Sequence, residues 1–381
     1  ELTMTSNTFS SSAGHAAACI NGTMSINDLT VDTTLTSEDR SYEIWSYGEV
    51  MYPSSPANSN YPAIFTEGCD STMSNTALND IAAMAIRLYG GTHELSELTV
   101  LRSNSAGFIT DAAIDVYDNW IRDGVSYVED AHVTLSNSSI SQTGDGGGIA
   151  FTRYSFGTDE PSSSLTISGS SLTEIGDVGV SAVGADLSVS DTNITNAGRA
   201  GVLSNNGNLT MSNVTVDGAG SSGIQISSST AVLDAVTAQY SGYSGIWVSA
   251  GNLTLTNSFA KNNAQNGVQV DMSTASLTEN TLTDNSGYGL SCTGATILAC
   301  DNLYGGNALG PTDACWDACT GIDPPVDDTE DTGDTDTGEP DTGAPDTGEA
   351  SAIDPTEDPE DTGAAPEPED TGVETTLVTG I

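Results

Sequence analysis

The stretch GVLSNNGNLTMSNVTVDGAGSS (201–222) runs into GIQISSSTAVLDAVTAQYSGYS (223–244) and then GIWVSAGNLTLTNSFAKNNAQN (245–266). Gly201, Gly223 and Gly245 open the three segments, and each precedes an aliphatic residue. Gly179, Gly267 and Gly289 extend the series at the same step of 22. Other columns keep that step. One runs Leu165, Leu187, Leu209, Ala231, Leu253, Ala275, Ile297; another runs Ile167, Val189, Met211, Leu233, Leu255, Leu277, Ala299; a third runs Leu172, Ile194, Val216, Ala238, Ala260, Leu282, Tyr304. Inside a segment apolar and polar residues alternate, as in Leu209-Thr210-Met211 and Ile224-Gln225-Ile226. A period of two marks a strand with one face in a core.

A 22-residue unit of two or three short strands cannot bury its apolar face alone. Stacking solves this: each strand pairs in parallel with its equivalent one turn on, about 4.8 Å away, and the inward columns fuse into one aliphatic core. The glycine of each Gly-aliphatic step then fits a corner that needs either positive φ or close approach to the next turn. Asn137, Asn213 and Asn257 fall near another corner and suggest side-chain ladders. Outside 165–304 the pattern is weaker: Leu2, Met4 and Phe9 map onto Met24, Ile26 and Val31, and Thr72–Asn75 echoes Thr210–Asn213. About twelve coils follow, a rod of roughly 55 Å, whose first coil is expected to lack its cap. Three segments break the period, near 33–70, 101–130 and 142–163, and insertions of this kind map to loops on a solenoid's side, where function concentrates.

Composition restricts the partners. Seven basic residues face 53 acids among 381 residues, a formal net charge of −46. Phosphate neutralisation needs clustered Lys and Arg, so nucleic acid is excluded as a natural partner, and an anionic membrane surface is disfavoured. No apolar run is long enough to span a bilayer. Residues 322–381 hold 20 of the acids, no base and eight of the thirteen prolines. They are expected to form a disordered acidic linker behind a solenoid domain of residues 1–321. Asp-Thr-Gly recurs six times in that tail, but without the apolar flanks an aspartic-protease site requires. Six cysteines, Cys19, Cys69, Cys292, Cys300, Cys315 and Cys319, favour disulfides in an oxidising compartment. Cys19 with Cys69 is proposed to clamp the first insertion; the other four allow three connectivities.

The registered Gly-aliphatic steps and the Leu-Thr-Met-Ser-Asn strand resemble the right-handed parallel β-helix repeat of the pectate lyase-like superfamily, over about residues 1–310. The resemblance implies an all-β, right-handed, single-stranded parallel β-helix. It says little about activity, because that fold carries lyases, hydrolases, epimerases, adhesins and inert rods. Polyuronate cleavage calls for cations near bound calcium, yet the regular coils hold only Arg199 and Lys261, about three coils apart. The polygalacturonase-like motifs are absent.

A glycosidase for a neutral glycan needs two suitably spaced carboxylates. The candidates are Asp111, Asp115, Asp118 and Asp123, with Asp145 from the next turn. Trp120, Arg122 and Tyr154 are candidate ligand-binding residues. The plainer alternative for these acids is a solvated acidic face. The same carboxylates suit calcium, though no EF-hand or nonapeptide repeat is present. His15, His93 and His132 are isolated, and Cys315 and Cys319 lack zinc-knuckle spacing. The leading expectation is therefore a secreted or cell-surface β-helix, non-catalytic, acting in adhesion, in glycan binding or as an extracellular rod. A polysaccharide-active enzyme using the 101–160 carboxylates is the alternative.

Overall fold

The computed structural model describes residues 1–12, 15–34, 62–82, 84–103, 112–122, 125–153, 162–315 and Cys319, together with the two-residue strands Trp45–Ser46 and Glu49–Val50. Two compact units divide the chain at Val326; the second lies wholly outside the described residues, as do the expected linker and most of the first insertion.

The described part of the first unit is a parallel β-solenoid. One regular coil consists of Val180–Val183, Asp186–Ser190 and Asn193–Ala197, and the next repeats it as Val202–Asn205, Asn208–Ser212 and Thr215–Asp217. Three parallel sheets result, one per strand of the coil. The first sheet aligns Ala17, Ile64, Ile86, Ile114, Ile149, Val180, Val202, Ile224, Ile246, Val268 and Leu290. The second aligns Leu2, Met24, Ser71, His93, Val133, Leu165, Leu187, Leu209, Ala231, Leu253, Ala275 and Ile297. The third aligns Phe9 and Val31 with Leu78, Val100, Ile140, Leu172, Ile194 and Val216. The apolar side chains among these are buried from Met24 to Leu290 and form a single cluster. Period-two alternation is thus realised as strands with one face toward the axis.

A chain that visits three sheets per turn must bend three times, and one left-handed residue makes each bend. Gly184, Asp191 and Asn196 do so in one coil, Asn206, Asn213 and Gly218 in the next. Asn, Asp and Gly tolerate that conformation best. The Asn213 and Asn257 amides donate to Asp191 and Asp234 of the coil before at 2.7 and 2.8 Å. The glycines of the Gly-aliphatic steps are not at these bends. Their reason is crowding: a Cβ on Gly201 would stand 2.3 Å from Val216 Cγ1 and 2.9 Å from the Gly223 carbonyl.

Two features depart from the simple repeat. Ala299 does not stand opposite Leu277, as a step of 22 requires. A one-residue irregularity after Ala275 puts Cys300 there instead, and Leu298 is turned to solvent. The shift presents Cys300 to Cys319, with which it forms a disulfide. The second feature is polar: His93 and Ser71 occupy inward positions of the second sheet. His93 Nε2–H donates to the Gly90 carbonyl at 2.7 Å, and Nδ1 accepts the Ser71 hydroxyl at 2.8 Å, so a neutral imidazole is fully partnered inside the core.

Disulfides join Cys19 to Cys69, Cys292 to Cys315 and Cys300 to Cys319. The first closes the segment containing the first insertion. The other two fasten the last described coil.

Candidate functional site

The step between aligned residues of the second sheet lengthens at three places: Met24 to Ser71, His93 to Val133 and Val133 to Leu165. All the extra chain borders one stretch of the first sheet. Some enters the strands Ile64–Ile81 and Ala112–Tyr117, and some leaves Ala112–Tyr117 and Gly147–Thr152. The antiparallel pair Asn119–Arg122 and Val125–Val128 is part of it.

On the outward side of this stretch, Phe65, Arg87 and Asp115 form one cross-strand row and Glu67, Tyr89 and Tyr117 the next. Outward residues of a solenoid are ordinarily wet. Here Phe65, Glu67 and Asp115 are buried, as is Asp118 just beyond the strand. Arg87 Nη2 lies 3.5 Å from Asp115 Oδ2, and Arg153 Nε lies 3.4 Å from Asp118 Oδ2. The Ala112 amide donates to Asp115 Oδ1 and the Ser163 hydroxyl to Asp118 Oδ2, each at 3.2 Å. Burial pushes the Asp118 carboxyl above the usual carboxylate range; Arg153 and the Ser163 hydrogen bond oppose the rise without cancelling it.

An aromatic ladder crosses the same face. His15 stacks on Phe65 at 5.4 Å, Phe65 meets Tyr89 edgewise at 5.8 Å, and Tyr89 stacks on Tyr117 at 5.1 Å. Rings stacked on one another have spent their faces, so they offer a ligand edges and hydroxyls rather than a platform. The Arg87 guanidinium sits 5.9 Å from the Tyr117 centroid.

Asp115 and Asp118 therefore belong to one cluster, three residues apart at the end of a single strand. Asp145 lies in the exposed turn before Gly147–Thr152, and among the described residues no hydrogen bond or ion pair joins it to them. Asp111, Asp123 and Tyr154 lie outside the described residues. Trp120 and Arg122 are described only through the backbone of their hairpin strand. Arg87, Phe65, Glu67 and His15 escape sequence reasoning: Phe65 and Arg87 keep the step of 22, but an insertion separates Arg87 from Asp115, so no constant spacing ties them to the carboxylates.

Calcium does not fit at Asp115 and Asp118: a guanidinium already lies within 4 Å of each carboxylate. Among the described residues the grouping with metal-ligand spacing is Cys292, Asp313 and Cys315. Its two sulfurs are joined to each other and are not thiolates.

Residues 158–302 match the family described as "Right handed beta helix region", and the described coils have the parallel β-helix fold. Solved structures with a related fold include the A-module of mannuronan C-5 epimerase AlgE6 from Azotobacter vinelandii, with 14% identity, TM-score 0.48 and 77% of this chain covering 87% of that one. PfbA, a surface adhesin of Streptococcus pneumoniae, gives 13% identity and TM-score 0.43, with 77% and 71% covered. Tailspike protein 2 of an Escherichia coli O157:H7 bacteriophage gives 10% identity and TM-score 0.39, with 73% and 42% covered. A search of curated protein sequences gives no match. No helix among the described residues is long and apolar enough to cross a membrane.

Proposed function

We propose that this chain is an extracellular β-helix that recognises uncharged glycans without cleaving them. The observation that carries the non-catalytic part is the state of Asp115 and Asp118: both are buried, and each faces an arginine. A glycosidase needs carboxyls that reach substrate, one to protonate the leaving group and one to attack or activate water. Three disulfides support an oxidising compartment. The excess of acids disfavours polyanionic glycans, leaving uncharged ones as the compatible class.

The test pairs a glycan array with a reducing-sugar assay on the same oligosaccharides. Binding without release of reducing ends is expected; turnover of a bound oligosaccharide would defeat the reading.

A second reading has one specific observation in its favour. The Asp118 carboxyl is pushed upward by burial and lies three residues from Asp115, as the raised acid of a glycosidase lies beside a second carboxylate. If that reading holds, Asp118→Asn abolishes reducing-sugar release while leaving glycan affinity within about twofold, and without release in the parent protein it falls.

A further inference from the structure

Outside the insertions, the outward row of the first sheet continues as Gln225, Trp247, Gln269 and Ser291. The Trp247 indole Nε1–H donates to Asp271 Oδ2 at 2.8 Å. Asp271 belongs to the next coil, so the ring lies across the boundary between coils instead of standing off the sheet. The same oxygen accepts Gln269 Nε2–H at 2.8 Å. Gln269 Oε1 in turn accepts the Ser244 hydroxyl at 3.1 Å and an Asn266 Nδ2–H at 3.5 Å. Tyr243, just before Ser244, is 52% exposed. Trp247 and Gln269 are half-buried, and the network fixes both rotamers before any ligand arrives.

We infer that Trp247, Gln269 and Asp271, with Tyr243 at the rim, form a binding site for an uncharged sugar unit. This deepens the glycan-recognition reading above and rests on it. A pyranose presents a patch of C–H groups on one face and hydroxyls around its edge, each both donor and acceptor. Trp247 supplies a flat apolar surface for the patch. The Gln269 amide and Asp271 carboxylate supply polar partners in fixed positions beside it. Such preorganisation lowers the ordering cost of binding. No base belongs to the set, so it offers nothing to a carboxylated or sulfated sugar. A single indole next to a carboxylate already holding two N–H donors also differs from the multi-ring cage that selects quaternary ammonium ions.

The experiment is isothermal titration calorimetry of the disulfide-intact chain with neutral gluco-, manno-, xylo- and chito-oligosaccharides. At least one is expected to bind, with an affinity indifferent to added sodium chloride. Trp247→Ala should weaken it about tenfold or more. Gln269→Ala should weaken it severalfold, Trp247→Phe should recover part of the loss, and Thr210→Ala on the second sheet should change nothing. Circular dichroism checks that each variant keeps its strands. Binding that survives Trp247→Ala in a folded variant overturns this site and leaves glycan recognition standing. Failure of the parent chain to bind any of these sugars overturns glycan recognition itself. Affinity that falls steeply with salt overturns the uncharged ligand.

Discussion

Truncating one leucine of the second-sheet column should cost more than truncating another of equal burial, and the difference comes from what stands one coil away. Leu187 is flanked by Leu165 and Leu209, whereas Leu253 is flanked by Ala231 and Ala275. All six positions are buried. Neighbouring coils are about 4.8 Å apart, so a leucine one rung away reaches into space vacated by its neighbour, and an alanine does not. Leu→Ala in a core costs about 2.7–5 kcal/mol, rising with the cavity that remains. Leu187→Ala is therefore placed near 3 kcal/mol and Leu253→Ala between about 4 and 5 kcal/mol, because the second would leave three alanines in succession. Urea denaturation followed by circular dichroism, with disulfides intact, measures both as shifts in midpoint at constant slope. Equal costs, or a larger cost at Leu187, would refute the claim that packing along the ladder supplies the cohesion between coils.

Two other perturbations test the core from different directions. Burial holds the His93 imidazole below its ordinary pKa, so the unfolded chain takes up a proton that the folded chain refuses. That stability is complete above about pH 6.5 and is lost as pH falls through the folded value. His93→Gln should shrink the fall in melting temperature between pH 7.5 and 5.5; His15, half-buried and also lowered, keeps part of it, and an unchanged slope would mean that His93 is protonated in the fold. Gly201→Ala should destabilise by about 2 kcal/mol through overpacking, whereas Gly305→Ala, whose added Cβ meets nothing closer than Thr283 Cγ2 at 3.7 Å, should stay within about 0.5 kcal/mol. Equal melting temperatures for the two would remove crowding as the reason for the Gly-aliphatic steps.

The solenoid was legible because a stacked coil repeats its own environment. The same residue type recurs wherever the same neighbours recur, and Leu187, Leu209 and Leu253 announce their sheet by spacing alone. The corners were only partly legible. Asn213 and Asn257 pointed to one, but Ala235, Ala250, Tyr240 and Met272 also take left-handed φ without the residue type that usually signals it; the fixed strands on either side impose the bend. The Asn263–Asn285–Asn307 ladder, whose amides bond coil to coil inside the core at 2.9 Å, shares the step of 22 but was hidden among many surface asparagines. The cluster at Arg87, Asp115, Asp118 and Arg153 was least legible. Insertions of unequal length separate its members, and a pairing that depends on three dimensions leaves no constant spacing to read.

The placement of the few basic residues connects the composition to the choice of ligand. Five of the seven have described side chains. Arg87 and Arg153 face Asp115 and Asp118, Arg102 pairs with Asp80, Arg199 lies 3.2 Å from Asp177, and Lys261 sits 6.0 Å from the Phe259 ring centroid. Each is thus already committed to a partner within its own coil or a neighbouring one. Among the described side chains four of these five cations face a carboxylate, and the acids that outnumber the five set a negative potential over the solenoid's surface. At those four a polyanion would have to break an internal pair before gaining a contact. An uncharged sugar meets no such barrier, and the Trp247 face, built from an indole, an amide and a carboxylate whose charge is already shared by two N–H donors, is the part of the surface whose chemistry suits it.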